Sequence, residues 1–266
     1  MHEYIVFDNN IVSPEQCAIA AVSAAALNGT GVFTTIAIYD GLPFLWEKHW
    51  WRLTGNSAKL AIDVSMHSEV GVRKSLSDLL EANAVTNGRA RITFFDESAS
   101  PFWTYATERK TGLLITTADF RTRAENFKLG TSPFASNSSS PLAGVKSCNY
   151  LEKVLALTQA KDNGFDEAIQ VNEHGHVASV CMANIFWCEG NQLFTPSLQT
   201  GCVAGTTREF VMERLACTEV EADIDAVEKA DAIFLTSAGV GVVRVESFNG
   251  RKLSQDAHPI VTLLPT

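Results

Sequence analysis

Lys146-Ser147-Cys148-Asn149-Tyr150-Leu151 and, well downstream, Gly205-Thr206-Thr207-Arg208 decide how this chain is read. The first places a lone amine just ahead of a clearly signalled helix. The second is a turn that opens another helix, with two hydroxyls behind a glycine. First-turn N–H groups have no partner inside their own helix, and glycine admits close approach, so such a start suits an anion. An amine and an anion site together suit a ligand carrying both an aldehyde and a phosphate, the amine adding to the aldehyde as a Schiff base. Lys146 must then be a free amine part of the time, against an ordinary pKa of about 10.4. The positive end of the helix that follows disfavours its ammonium form. Each feature also has an ordinary reading: a surface lysine, and a helix capped by its own threonine.

Outward from Lys146, Asn149 and Glu152 have the spacing of a capping box for a helix over 150–162, ended by Asn163-Gly164. Strands are expected over 167–172, 177–187 (with an interruption) and 193–195, and a helix over 206–216 behind Gly205. Residues 233–236 form another strand, and Phe248-Asn249-Gly250 marks a late hairpin. Upstream, 4–7, 32–39, 89–95 and 111–117 read as strands, with turns at Asp8-Asn9-Asn10 and Asp40-Gly41. Residues 46–60 read as a helix burying Trp46, His49, Trp50 and Leu53, and Ser68 caps a helix through Glu81. An irregular aromatic stretch surrounds Phe102-Trp103. The composition turns to Ser, Asn, Pro and Gly over 131–144. The expected organisation is a small N-terminal α/β domain (1–130), an interdomain or surface loop (131–144), and a larger domain (145–266) carrying the lysine. The class is α+β in two lobes.

Composition narrows the function. The chain has 266 residues, 46% hydrophobic and 19% charged, and a formal net charge of −9 with no basic run. Nucleic acid and anionic membrane surfaces are therefore poor partners. Six cysteines without C-x-x-C spacing read as reduced thiols of a cytoplasmic protein. The Ala-rich 17–27 stretch is too short to span a bilayer and is expected in the core. No H-x-x-H or H-E-x-x-H spacing supports a metal site, and neither G-x-S-x-G nor a P-loop occurs. His49 and Arg52, three apart on one helix, point to similar sides, and a planar guanidinium suits a phosphate dianion.

Together these pieces resemble the class IV aminotransferases, the fold-type IV pyridoxal-phosphate enzymes. That family includes branched-chain and D-amino acid aminotransferases and 4-amino-4-deoxychorismate lyase. The resemblance rests on Gly31-Val32-Phe33-Thr34-Thr35, His49-Trp50-Trp51-Arg52-Leu53, the Lys146 stretch, Asn184-Ile185-Phe186, Thr195-Pro196 and Gly205-Thr206-Thr207-Arg208. It implies a two-lobed fold with a β-barrel-like second domain and pyridoxal 5'-phosphate as cofactor. Lys146 would be the Schiff-base lysine and proton shuttle. Arg52, Thr206, Thr207 and Ser237 would hold the phosphate, and Tyr150 the phenolic oxygen. Phe33 would line a substrate pocket between the lobes that a partner subunit completes, hence a homodimer acting on a small amino substrate.

One position departs from the pattern. Where the family's G-x-V-x-E places a glutamate on the pyridine nitrogen, this chain has Gly175-His176-Val177-Ala178-Ser179. A carboxylate keeps that nitrogen cationic and the ring a strong electron sink; a serine only hydrogen-bonds. Ser179 therefore biases the expectation towards elimination or weak activity. Gly31-Val32-Phe33-Thr34-Thr35 and Met182-Ala183-Asn184-Ile185-Phe186-Trp187 resemble the lyase members most. Transamination of a D- or branched-chain amino acid is the alternative, and a binding-only paralogue with little turnover a second. The lyases' Gly-rich arginine stretch is replaced by Arg91-Ile92-Thr93-Phe94-Phe95, leaving Arg89, Arg91 and Arg244 as candidates for substrate carboxylates.

Overall fold

The computed structural model describes residues 1–100, 109–122 and 124–265, so the Phe102-Trp103 stretch lies outside the described residues. The chain forms two compact units: Met1–Phe120 with Val145–Asn149, and Arg121–Gly144 with Tyr150–Thr266.

The first unit is one antiparallel sheet with helices packed on it. Its strands are β1 (Ile5–Phe7), β2 (Asn10–Val12), β3 (Gly31–Tyr39), β4 (Leu42–Pro43), β5 (Gly88–Asp96) and β6 (Thr111–Ala118), in the order β2-β1-β6-β5-β3-β4. The two expected turns close short hairpins, with Asp8, Asn9, Asp40 and Gly41 all at positive φ. Helices α2 (Trp46–Lys59) and α3 (Glu69–Ala82) bury Trp46, Leu53, Leu76 and Leu79 against Ile36, Ile92 and Phe94. Ser68 caps α3 by accepting from Gly71 N at 3.1 Å.

The 17–27 stretch is not core. Its only regular element is α1 (Ala24–Asn28), one turn long and stopped by Gly29 at φ 64°. A single turn buries one side, here Ala24, and leaves Leu27 exposed, while Ile19 and Val22 precede it on an irregular exposed segment.

The second unit packs two five-stranded sheets around a shared apolar cluster. One is ordered β12-β11-β10-β13-β14 and the other β16-β15-β7-β8-β9. Their strands are β7 (Lys128–Thr131), β8 (Glu167–Val171), β9 (Val177–Val180), β10 (Asn184–Glu189), β11 (Gln192–Pro196), β12 (Thr218–Val220), β13 (Ala232–Ser237), β14 (Gly241–Arg244), β15 (Ser247–Phe248) and β16 (Arg251–Lys252). Ile169 and Val180 from one sheet meet Ile185, Trp187 and Leu235 from the other. Helices α4 (Leu151–Asp162), α5 (Thr206–Met212) and α6 (Ile224–Lys229) complete the unit. The expected 177–187 strand is interrupted between β9 and β10. Helix α5 stops short of the expected residue 216 because the chain must extend at Thr218 to pair in parallel with β11.

Candidate active site

Lys146 is held by main chain. Phe33 N donates to Lys146 O at 2.9 Å, Cys148 N donates to Gly31 O at 2.8 Å, and Val32 bridges Ser147. The Val145–Asn149 strip thus extends the edge of β3, which explains why it groups with the first unit. The approach is close: a Cβ at position 31 would lie 2.9 Å from Cys148 Sγ and 3.0 Å from Phe94 O. Partly buried Lys146 lays its Nζ 4.5 Å from the centre of the Phe33 ring, and Arg91 lays its guanidinium 3.6 Å from the same ring. The amine therefore stands beside the aromatic residue expected to line the pocket.

Asn149 does not cap α4. Its amide donates instead to Gly29 O at 3.2 Å, and Tyr150 occupies the N-cap position with no side-chain bond to the helix. The helix starts one residue later than the capping-box spacing requires.

Thr34, His49 and Arg52 form a second group in the same unit. Arg52 Nη2 donates to Thr34 Oγ1 at 2.8 Å, and Thr34 Oγ1 lies 2.6 Å from His49 Nδ1. A hydroxyl has one proton, so with Arg52 donating to it Thr34 gives that proton to His49. His49 is then neutral, with its proton on Nε2. Burial, then the Arg52 and Lys146 cations, hold its pKa well below the usual histidine value. Thr34 and His49 therefore fix where the Arg52 guanidinium points. Only the arginine was singled out from the motif itself.

In the second unit, α5 begins at Gly205 without a side-chain cap, and Thr206 and Thr207 are buried in its first turn. Glycine is required at 205 by a neighbouring side chain: an added Cβ would meet Asn184 Oδ1 at 1.9 Å. Asn184 is held there by donating from Nδ2 to Val203 O at 2.9 Å. Its cross-strand partner Thr236 has a buried hydroxyl with no hydrogen-bond partner among the described residues. Ser237 follows at the end of β13. Arg208 is committed to structure, pairing with Glu219 and donating to Pro196 O at 2.9 Å.

Ser179 is buried on β9 opposite Gln170 on β8. Lys153, on α4, donates to Gln170 Oε1 and to Ser179 Oγ at 3.2 Å. Burial lowers the Lys153 pKa, opposed by Cys181, Glu167, Glu152 and Cys202. Glu167, deeper on β8, accepts from Met182 N at 3.3 Å and is pushed up by burial to about 7. Nothing in the sequence marked Lys153. Its burial comes from strands paired long after it in the chain.

Each unit by itself carries groups of the kind that a cofactor with an aldehyde and a phosphate requires. The first has an amine beside an aromatic ring and a guanidinium bonded to Thr34. The second has buried hydroxyls at a helix start and, at Thr236, a hydroxyl without a hydrogen-bond partner among the described residues. The described residues contain no cluster of His, Cys, Asp or Glu able to hold a metal, and no helix long and apolar enough to cross a membrane.

The profile of the amino-transferase class IV family matches residues 31–248. The chain belongs to that family, one of pyridoxal-phosphate enzymes acting on small amino substrates. It is 26% identical over 250 residues to the aminodeoxychorismate lyase of Bacillus subtilis, covering 90% of this chain and 85% of the relative. The solved Escherichia coli branched-chain amino acid aminotransferase superposes with a TM-score of 0.90 at 21% identity, covering 99% of this chain and 92% of that one. The 4-amino-4-deoxychorismate lyase of Pseudomonas aeruginosa superposes at 0.82 with 21% identity, covering 97% and 96%. These likenesses establish the α+β fold expected from the motifs.

Proposed function

We propose that this chain is a pyridoxal-phosphate-dependent 4-amino-4-deoxychorismate lyase, which removes pyruvate from its substrate and leaves 4-aminobenzoate for folate synthesis. The observation that carries this choice is the side chain at 179. A hydroxyl held by Lys153 stands where the family pattern has a carboxylate. Transamination leans on full delocalisation of a carbanion into a protonated ring, and elimination leans on it less. The identity to the Bacillus subtilis lyase and the Gly31–Thr35 and Met182–Trp187 stretches support the same choice.

When bound, the cofactor supplies an aldehyde that captures an amine and a ring that accepts electrons as a proton leaves. Lys146 would hold the cofactor's aldehyde. Its amine is the base that would take the proton from the substrate carbon bearing nitrogen and return one to the departing enolpyruvyl carbon, so proton and pyruvate balance. Arg52, oriented by Thr34 and His49, would hold the phosphate with Thr206, Thr207 and Ser237. Tyr150 would serve the phenolic oxygen and Ser179 the ring nitrogen. Phe33 lines the substrate pocket, where Arg91, already against its ring, takes a substrate carboxylate. Arg244, bonded to Asp256 O, suits that task less.

The active form in this reading is a cytoplasmic homodimer. Leu151, Val154 and Leu155 share one exposed face of α4, a surface a second copy would cover, and all six cysteines are free thiols.

Purified protein loaded with cofactor is expected to convert aminodeoxychorismate to 4-aminobenzoate and pyruvate, and to turn over amino acids with 2-oxoglutarate poorly. Faster transfer from a D- or branched-chain amino acid would make it an aminotransferase. Bound cofactor with neither product would make it a binding-only paralogue.

A further inference from the structure

We propose that Lys153, donating to both Gln170 and Ser179, keeps the Ser179 hydroxyl as a donor that holds the ring nitrogen of bound pyridoxal phosphate in its unprotonated state. The proposal deepens the reading above and rests on its placing Ser179 at that nitrogen.

Gln170 and Ser179 are cross-strand partners, so their side chains leave the same face of the β8–β9 pair. Lys153 reaches that face from α4 and binds both. An ammonium has donors and no acceptor, so the bond to Ser179 fills a lone pair of the hydroxyl and leaves its proton to be given elsewhere. The partner this arrangement best serves is a nitrogen with a free lone pair. A protonated ring nitrogen would bring a second cation towards the ammonium, and like charges oppose that proton.

The surrounding charges do not replace the missing acid. Glu152 lies on α4 itself, and Cys181 and Cys202 come from the ends of neighbouring segments. Glu167 is the buried carboxyl among the described groups acting on Lys153, and Cys181 and the Arg121 cation act on it in turn. It is three residues from Gln170 on the same strand, hence on the opposite face, and its oxygen is taken by Met182 N. The desolvation that lowers the Lys153 pKa is opposed by Glu167 and Glu152, which favour keeping the ammonium.

The test is nitrogen NMR of the full-length holoprotein loaded with pyridoxal 5'-phosphate labelled with ¹⁵N in the ring. The wild-type ring nitrogen is expected to show the shift of an unprotonated pyridine throughout the neutral range. Lys153→Met should raise the pH at which the nitrogen takes a proton by about one unit, about tenfold in proton affinity. Lys153→Arg, which keeps the cation, should stay close to wild type. Ser179→Glu should give the protonated shift at neutral pH. A protonated nitrogen in the wild type would overturn the proposal without needing any variant to fold. So would a folded Lys153→Met protein whose titration is unchanged, the result expected if Lys153 only supports the helix. Failure of the underlying reading looks different: no label fixed on Lys146 by borohydride, or a ring signal insensitive to both Ser179→Ala and Ser179→Glu.

Discussion

A single hydroxyl, Thr34 Oγ1, decides where the Arg52 guanidinium points, because it accepts from Arg52 and donates to a neutral His49. Thr34→Val keeps the shape and removes the oxygen. It should weaken cofactor phosphate binding by roughly tenfold or more, since a hydrogen bond to a charged group is worth about 1.5–3 kcal/mol. Equilibrium dialysis against pyridoxal 5'-phosphate checks this, and unchanged affinity would mean that Arg52 is held by other contacts. At this scale the motifs named Lys146, Arg52 and the threonines behind Gly205 as candidates, but not the neighbours that position them. The sequence was silent on Lys153, whose two partners lie on strands that form only when the sheet does. A lysine in the first turn of a helix otherwise looks like any solvated lysine.

Elements were legible where a short-range signal had no distant competitor. The Asp40-Gly41 hairpin and the Ser68 cap formed as read, both being settled within a few residues. The Asn149 capping box did not form because α4 starts one residue later, with Tyr150 at its N-cap, and the 17–27 stretch stays mostly outside the core because its one helix, α1, is a single turn. The 131–144 stretch, linker-like in composition, is tethered along its length. Ser132 N and Ser136 N donate to Ile169 O and Val171 O, each at 2.8 Å, and Glu173 accepts from Ser138 and Ser139. Those N–H and O–H bonds hold the Glu173 carboxyl down at about 2. A depressed carboxyl stabilises the fold above its unfolded pKa and loses that contribution as pH falls through the folded one. Glu173→Gln should therefore speed amide hydrogen exchange at Ser138 and Ser139 near neutral pH and leave β8 protected. Equal exchange in both proteins would show that the carboxylate does not restrain the segment.

Across the whole molecule, two buried groups pull the pH dependence of stability in opposite directions. His49 must stay neutral in the fold, so below about pH 6.5 the unfolded chain binds a proton that the native state refuses, and stability falls as pH drops. Glu167 does the reverse. Its folded pKa of about 7 lies above the unfolded value, so its contribution is present in acid and is lost as pH rises through about 7. Each limiting slope is about 1.4 kcal/mol per pH unit, and below about pH 6.5 the two have opposite signs, so they offset one another over the range where both groups are still shifted. Urea unfolding across that range should give a nearly flat profile for the wild type, a rising one for Glu167→Gln and a falling one for His49→Gln. Parallel profiles for all three would show that neither group keeps its shifted pKa.

The backbone passes from one unit to the other three times, after Phe120, Gly144 and Asn149. Neither unit can therefore be excised as a single fragment. A polypeptide cut at Phe120 would lack the ribbon that satisfies the Gly31 carbonyl and Phe33 amide, leaving a raw margin beside β3. Such a truncated half would present an open edge where the pentapeptide belongs, and Lys146 could return to it only if supplied in trans.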